Sequence, residues 1–563
     1  MKKFVVGILF ISFCSFTFSQ DLNWVFLTDK GSSPFPLEER VALSQEAIAL
    51  RAKLNIPLDE KDVPVYSPYM QTLRAHDLQL VTQSRWLNAV VVRAENDTDW
   101  AAIYELPFVK GIKSVGRMIL TETQSEVLEA HEPLTSIFDY GEASFQNNML
   151  NMAALHSKGY TGKGVRLAVF DGGFPGVDTM KLFDSVRIEN RLLGYKDFVK
   201  GKEDVFHSSS HGTRVLSTIA TNIPGSMVGS APHVSVMLCI TEDVRSETRK
   251  EEHNWAAAME WADSMGVQVV HSSLGYSEFD SPADTYSYSQ MNGDHTVITR
   301  MADIAASKGI LVTTSAGNEG SGEWKYITAP CDADSVLCIG SVDREKVRSR
   351  FSSYGPTYDG RIKPDVVAMG TRTTVAGPSD MIRSGNGTSF SSPTVAGLVA
   401  CLKQAHPERN IMDIIQAVRM SGDNAESPNN EYGYGIPDAG YADEILKKEE
   451  GVVSLQESQE EERKRQAETA LAEKETEETE GFTFTENPQT LLIRKGNKLT
   501  ISTPSSLEEV ILMYGDQLVS LPASDIKRKG DKVKYKTKYL VPGEYYVKVV
   551  TDTYTEYIPF IID

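Results

Sequence analysis

The chain has 563 residues, 41% of them hydrophobic and 24% charged, with a formal net charge of −20. That length exceeds one ordinary domain and predicts three or four. The composition excludes a disordered or collagen-like chain, and the acidity excludes the nucleic-acid-binding class, which relies on lysine and arginine to release counterions.

In chain order, "MKKFVVGILFISFCSFTFSQ" opens on two lysines, runs through apolar residues and closes on small ones at Thr17 and Ser19. This predicts a secretory signal peptide over 1–19, cut before Gln20. The apolar run is shorter than the ~20 residues of a spanning helix, and Phe13 before Cys14 argues against a lipoprotein site. No later segment is long and apolar enough to cross a membrane, so an exported chain without a transmembrane segment is expected. Residues 20–135 read as a separate module with a β-α-β pattern. "RWLNAVVVRA" is a strand, "DTDWAAIYELPFV" a helix with its exit, and "KGIKSVGRM" a following strand.

From 146 to 446, β-branched apolar runs alternate with helical segments. The strands are "VRLAVF" (165–170), "VSVMLCI" (234–240), "VQVVHSSLG" (267–275), "ILVTTSAGN" (310–318) and "SVLCIGSV" (335–342), with helices in "HGTRVLSTIA" and "NWAAAMEWADSMG". Continuous apolar strands separated by helices predict a doubly wound, mostly parallel α/β sheet covered on both faces. Residues 447–480 carry 6 basic and 12 acidic residues and read as a solvated linker. Residues 481–563 switch to short strands broken by turns, "KLTIST", "EVILMYG", "YYVKVVTD" and "YTEYIPFII", predicting a small all-β sandwich.

Of five cysteines, Cys14 leaves with the signal peptide. Cys331 and Cys338 flank a short turn and can pair in an oxidising compartment. Cys239 and Cys401 lie in apolar runs and read as buried small hydrophobes. Their spacing suggests no metal site.

In α/β sheets of this kind, sites gather at the carboxyl ends of the strands. Asp171 follows "VRLAVF"; Asn318 ends "ILVTTSAGN"; His211 begins one helix. Ser389 begins another, in which Val395, Leu398, Val399 and Leu402 recur at helical spacing. Taken singly, each has a plain structural reading: a turn cap, a helix start, a turn former, a small residue for close packing. Together they offer a nucleophile, a base suited to neutral pH, a carboxylate to hold that base's tautomer and an amide donor for an oxyanion.

The order Asp, His, Ser is the order found in subtilisin. "VRLAVFDGGF", "HGTRV", "SSLG", "SAGNEG" and "GTSFSSPTVAG" together resemble the motif set of the subtilisin-like serine proteases, or subtilases, over 146–446. The resemblance implies a serine endopeptidase with Asp171, His211 and Ser389 as its triad and Asn318 as oxyanion donor. It also implies that Ser273, Leu274 and Gly275, with Ser315, Ala316 and Gly317, line the substrate cleft and hold an extended peptide by backbone hydrogen bonds. No cofactor is required for the chemistry; structural calcium occurs in relatives, but no ligand loop here is diagnostic, and Asp284 and Asp294 read as surface residues.

Three positions depart from the pattern: Gly172 where a serine or threonine is usual, Arg214 for a second histidine, and Phe390 for methionine. The N-terminal module resembles inhibitory propeptides of this family, so a zymogen with its own propeptide as partner is expected. "VPGEYYVKVVTD" resembles the C-terminal sorting domains of type IX secretion cargo, implying a secretion machine as partner and passage through the periplasm of a Gram-negative bacterium to the surface or medium. The competing reading is a catalytically silent subtilase fold used for binding or adhesion. An α/β-hydrolase esterase is excluded by motif order, since that fold runs Ser, Asp, His.

Overall fold

The computed structural model describes residues 22–94, 98–114 and 139–448, and strands between Leu491 and Ile562. The predicted signal peptide and nearly all of the acidic linker lie outside the described residues. The chain divides into two compact units, 1–453 and 454–563.

The N-terminal module is a four-stranded antiparallel sheet of β1 (Leu22–Leu27), β2 (Gln79–Ser84), β3 (Ala89–Arg93) and β4 (Val109–Ser114), in the order β2-β3-β1-β4. The predicted strand–helix–strand pattern is present, but β3 and β4 both pair with β1 rather than with each other. Two strands and the helices Gln45–Lys53 and Ser67–Ala75 are additional to the sequence reading. β3 is continuously apolar because both its faces are covered. Val90 and Val92 pack with Leu73 and Ile103 inside the module, whereas Ala89 and Val91 cluster with Trp24 on the other face. The Trp24 ring meets His253 of the next domain edge-on, 4.7 Å between centroids.

That next domain is built on seven parallel strands: β5 (Arg166–Asp171), β6 (Leu192–Asp197), β7 (Ser235–Ile240), β8 (Val269–Ser272), β9 (Leu311–Ser315), β10 (Val336–Val342) and β11 (Val366–Met369). Their order is β11-β10-β9-β8-β5-β7-β6. Alternate residues feed two separate cores. Leu167, Val169, Val236 and Leu238 face the helices His211–Ala220 and Thr388–Ala405, while Ala168, Phe170, Met237 and Cys239 face the helices Lys250–Ser264 and Val297–Ser307. Burial on both faces explains why these strands read as continuous apolar runs. The five predicted strands are all present; β6 and β11 are additional.

The strand order reverses beside β5: the chain goes out to the sheet edge at β6, returns to β7 next to β5, then restarts on the other side at β8. A crevice at the carboxyl ends of strands flanking such a switch point is where α/β sheets place their ligands.

The N-terminal module sits on the helix Lys250–Ser264. Arg51 bridges Asp62 of its own module (3.0 Å) and Asp263 of that helix (2.7 Å), and Arg85 reaches the other oxygen of Asp263. Glu260 accepts from Ser84 Oγ at 2.5 Å and from Arg85 N at 2.9 Å. These charges are nearly all buried, and each has its counter-charge, which is the condition for tolerating them there.

Cys331 and Cys338 form a disulfide, and Cys239 and Cys401 are free and buried, as their surroundings predict. In the second unit the strands make two four-stranded antiparallel sheets. In Gly543–Thr551, Tyr545, Val547 and Val549 alternate inward, as a strand with one covered face requires.

Candidate active site

Asp171 is the last residue of β5 and is buried. Its carboxylate faces the Nδ1 of His211 at 3.0 and 2.9 Å and accepts the Gly172 N–H at 2.7 Å. His211 is the first residue of its helix, and its side chain is 28% exposed, so the far side of the ring is open. Gly212 permits this approach: a Cβ there would lie 2.7 Å from the Phe174 ring and 2.9 Å from Asp171 Cβ.

Ser389 lies in the first turn of the helix Thr388–Ala405, every residue of which is buried as far as Lys403. Gly387, at φ 146°, turns the chain into that helix. Asn318 leaves β9 and places its Oδ1 on both Thr388 N and Thr388 Oγ1, each at 3.0 Å. With Oδ1 engaged in this way, the amide nitrogen of Asn318 is left without a bond to Thr388 and lies beside Gly387 at the helix start. The Ser389 hydroxyl donates to Ser273 O at 3.3 Å rather than to His211. The His211 ring stands 5.7 Å from that of Phe390, the neighbour of Ser389.

Ser273, Leu274 and Gly275 continue from β8 after it leaves the sheet, and Ser315, Ala316 and Gly317 lie at the end of β9. The structure thus brings all ten sequence-predicted site residues to one end of adjacent strands. The departures also have a place. Val244 Cγ1 lies 2.7 Å from where a Gly172 side chain would begin, and the Asp171 carboxylate keeps a backbone donor in place of a neighbouring hydroxyl. The Arg214 guanidinium lies 5.8 Å from the Phe390 ring centroid, and burial pulls its pKa down against the attraction of Asp171.

Two residues escaped the sequence reading. His271 in β8 is fully buried, with Nε2 at 2.6 Å from Ser273 Oγ and Nδ1 at 3.0 Å from Thr313 Oγ1. Pro393 sits inside the nucleophile helix, where it has no N–H for the carbonyl of Ser389 four residues back. Ser273 Oγ donates to that carbonyl instead, at 3.0 Å. A histidine in an apolar strand and a proline in an apolar helix were the available signals.

Among the described residues, Glu242, Glu247 and Glu251 bring carboxylate oxygens within 4.8 Å of one another. Burial, with repulsion from neighbouring glutamates, raises the pKa values of Glu242 and Glu251, and Tyr276 donates to Glu242. Oxygen donors suit calcium, but that ion takes six to eight of them. Asp294 is exposed, whereas Asp284 is partly covered and its carbonyl accepts from Arg249.

A buried carboxylate on a histidine, with a helix-borne serine beside them at the switch point of a parallel sheet, defines a serine hydrolase of the α/β type. Residues 162–435 match the Subtilase family, and residues 22–129 match the Peptidase S8 propeptide domain of Bacteroidota. Subtilisin BL from Lederbergia lenta is 29% identical over 287 residues, covering 51% of this chain and 93% of that enzyme. Subtilisin NAT from Bacillus subtilis subsp. natto is 32% identical over 282 residues, covering 49% and 64%. The chain belongs to the subtilase family: it is a subtilisin-like serine endopeptidase with an N-terminal propeptide, and so is made as a zymogen.

Proposed function

We propose that Ser389 is the nucleophile of this peptidase, His211 its general base and acid, Asp171 the group that orients His211, and Asn318 an oxyanion donor together with the Ser389 N–H. The observation that carries the assignment is the His211 ring, held by Nδ1 on both oxygens of a buried Asp171 at 2.9 and 3.0 Å. That contact places the proton on Nδ1 and leaves Nε2 to accept one. When a peptide enters, the Ser389 hydroxyl turns from Ser273 O to His211; such bonds commonly tighten only in the substrate complex. Oγ then bonds to the scissile carbonyl carbon while its proton passes to Nε2. The oxyanion lies against Asn318 and the Ser389 N–H. Nε2 returns the proton to the leaving amine, and water, deprotonated in turn by His211, releases the acyl group. No cofactor enters this sequence. Labelling tests it: a fluorophosphonate should bond to Ser389 of the processed enzyme, and Ser389→Ala should take up none.

The edges Ser273–Gly275 and Ser315–Gly317 hold the substrate as an extended strand. Enzyme and substrate meet outside the cell. The signal peptide takes the chain to the periplasm, and the C-terminal strands, packed as a sandwich, serve as the sorting signal for passage to the surface or medium. The Bacteroidota type of the propeptide supports this route. A chain ending near Gln459 should stay in the periplasm of its host as active protease. Normal levels of the truncated enzyme in the medium would remove the sorting role and leave an accessory binding domain.

A further inference from the structure

We propose that the cavity lined by Arg214 and Arg383 is a carboxylate site on the leaving-group side of the cut bond, so that the enzyme prefers substrates with a carboxylate among the first residues released. The proposal rests on the reading of Ser389 and His211 as the reacting groups and of Ser273–Gly275 and Ser315–Gly317 as the edges for the acyl side.

The cavity, of about 650 Å³, is built from segments that meet at the reacting groups. Ser210 and Arg214 flank His211 at the start of its helix. Arg383 and Ser384 lie in the strand Ile382–Gly385, which pairs with Thr373–Ala376 and leads through Gly387 into Ser389. Met180, from the segment after β5, and Val375 supply an apolar wall. None of the lining comes from the two substrate edges. A peptide held by those edges up to the cut bond therefore has its leaving segment on this side of Ser389. Phe390 joins the two places: its ring stands 5.7 Å from that of His211 and 5.8 Å from the Arg214 guanidinium. Those distances put the guanidinium within about 12 Å of the base, a reach of three to four extended residues.

The chain is acidic, with 77 aspartates and glutamates against 57 lysines and arginines, yet no carboxylate lines this cavity. Arg214 is stacked on Phe390, and its buried Nε has no hydrogen-bond partner among the described residues. Asp171 attracts it, but both oxygens of that carboxylate face His211. The Arg383 guanidinium bonds the Met381 sulfur at 3.4 Å, a weak acceptor. Both arginines are partly exposed, so a ligand can reach them. The Ser210 hydroxyl makes no cap bond to its helix and is a further donor. A guanidinium is a planar fork that matches the two oxygens of a carboxylate, and stacking on an aromatic ring holds that fork in place. Packing on Phe390 needs no charge. Two cations facing one cavity call for an anion, and the substrate supplies it.

Internally quenched peptides, identical on the acyl side and amidated at the end, test the site on the processed enzyme. They carry glutamate, glutamine or lysine in turn at each of the first three positions after the cut. A further peptide ends there in glutamine with a free carboxylate, which separates a chain end from a side chain as the ligand. At the best position the expected order of kcat/KM is Glu, Gln, Lys, with glutamate ahead of glutamine by about 10–100-fold, the worth of hydrogen bonds to a charged group. A gain confined to the free-ended peptide supports the site with the chain end as its ligand. Arg214→Gln should bring the carboxylate-to-amide ratio down to about one. Arg383→Gln should lower it as well, and reads the site independently of the Phe390 stack. A wild-type ratio near one at all three positions and at the free end overturns the proposal, as does a ratio that both variants leave unchanged. Full fluorophosphonate labelling with a ratio of one contradicts this site alone, whereas an enzyme that cleaves no peptide and takes up no label contradicts the triad.

Discussion

Ser389 carries its hydroxyl on a backbone held from the substrate side. Pro393 cannot bond the Ser389 carbonyl, and Ser273 Oγ does so at 3.0 Å. That hydroxyl has one proton and spends it on the carbonyl, so it accepts from His271 Nε2. His271 therefore carries a proton on Nε2. Burial, aided by the charge of His211, pushes the His271 pKa down to about 3, so the ring stays neutral at any ordinary pH. Asn318 works from the other side, where its Oδ1 caps Thr388 and so aims its amide nitrogen. A donor aimed in this way acts in the transition state more than on bound substrate. Asn318→Ala should therefore lower kcat by about 10²–10³, the loss found on removing the oxyanion donor of subtilisin, with little change in KM. A rise confined to KM would show that Asn318 only positions substrate.

The nucleophile helix is fixed at its far end by a polar clamp. His406, which caps it, places Nε2 2.8 Å from Asp443 of the helix Ala439–Lys447, and Asp443 also binds Lys158 at 2.8 Å and Lys447 at 2.5 Å. Burial raises the Asp443 pKa, but Lys158, Lys447 and His406 outweigh it and hold the carboxyl at about 2, below its ordinary 3.8. Because the folded-state value is the lower one, the carboxylate stabilises the fold above the unfolded value, and that contribution disappears as pH falls from 3.8 through about 2. Asp443→Asn should lower the melting temperature at pH 7 by a loss of about 1.5–3 kcal/mol, the worth of hydrogen bonds to a charged group. Wild type and variant should converge as pH falls across that window. A difference that persists unchanged at the acid end would assign the effect to packing.

On the scale of the whole molecule, the propeptide is held to the catalytic domain by buried charge. Asp263→Ala would leave Arg51 and Arg85 without their shared partner. Losing one side of a buried pair costs about 2–5 kcal/mol, so inhibition of the processed enzyme by the separately made module should weaken about 30-fold or more. Unchanged inhibition would mean the module docks elsewhere in solution.

The parts of this architecture that could be read from the sequence were those buried on both sides. β5 and β7 to β10 are buried at nearly every position, each with an apolar run, because cores lie above and below them. β6 is mostly half-buried at the sheet edge, and β11 has four residues beside Lys363 and Pro364, so neither showed a clear pattern. β2 alternates exposed and half-buried positions, so it presents no apolar run. Asp171, His211, Asn318 and Ser389 were legible because each stands at the junction of an element with a loop. His271 was not, because its role comes only from what distant segments bring against it, Ser273 at one ring nitrogen and Thr313 at the other.

The central claim is that Ser389 is activated by His211, itself held by Asp171. Mapping the fluorophosphonate adduct by mass spectrometry on processed enzyme, wild type against His211→Ala, tests it most directly. The expected result is a single adduct on the peptide carrying Ser389, formed about 10²–10⁴-fold more slowly when the base is removed. An adduct on another residue, or a labelling rate that His211→Ala leaves unchanged, would contradict it.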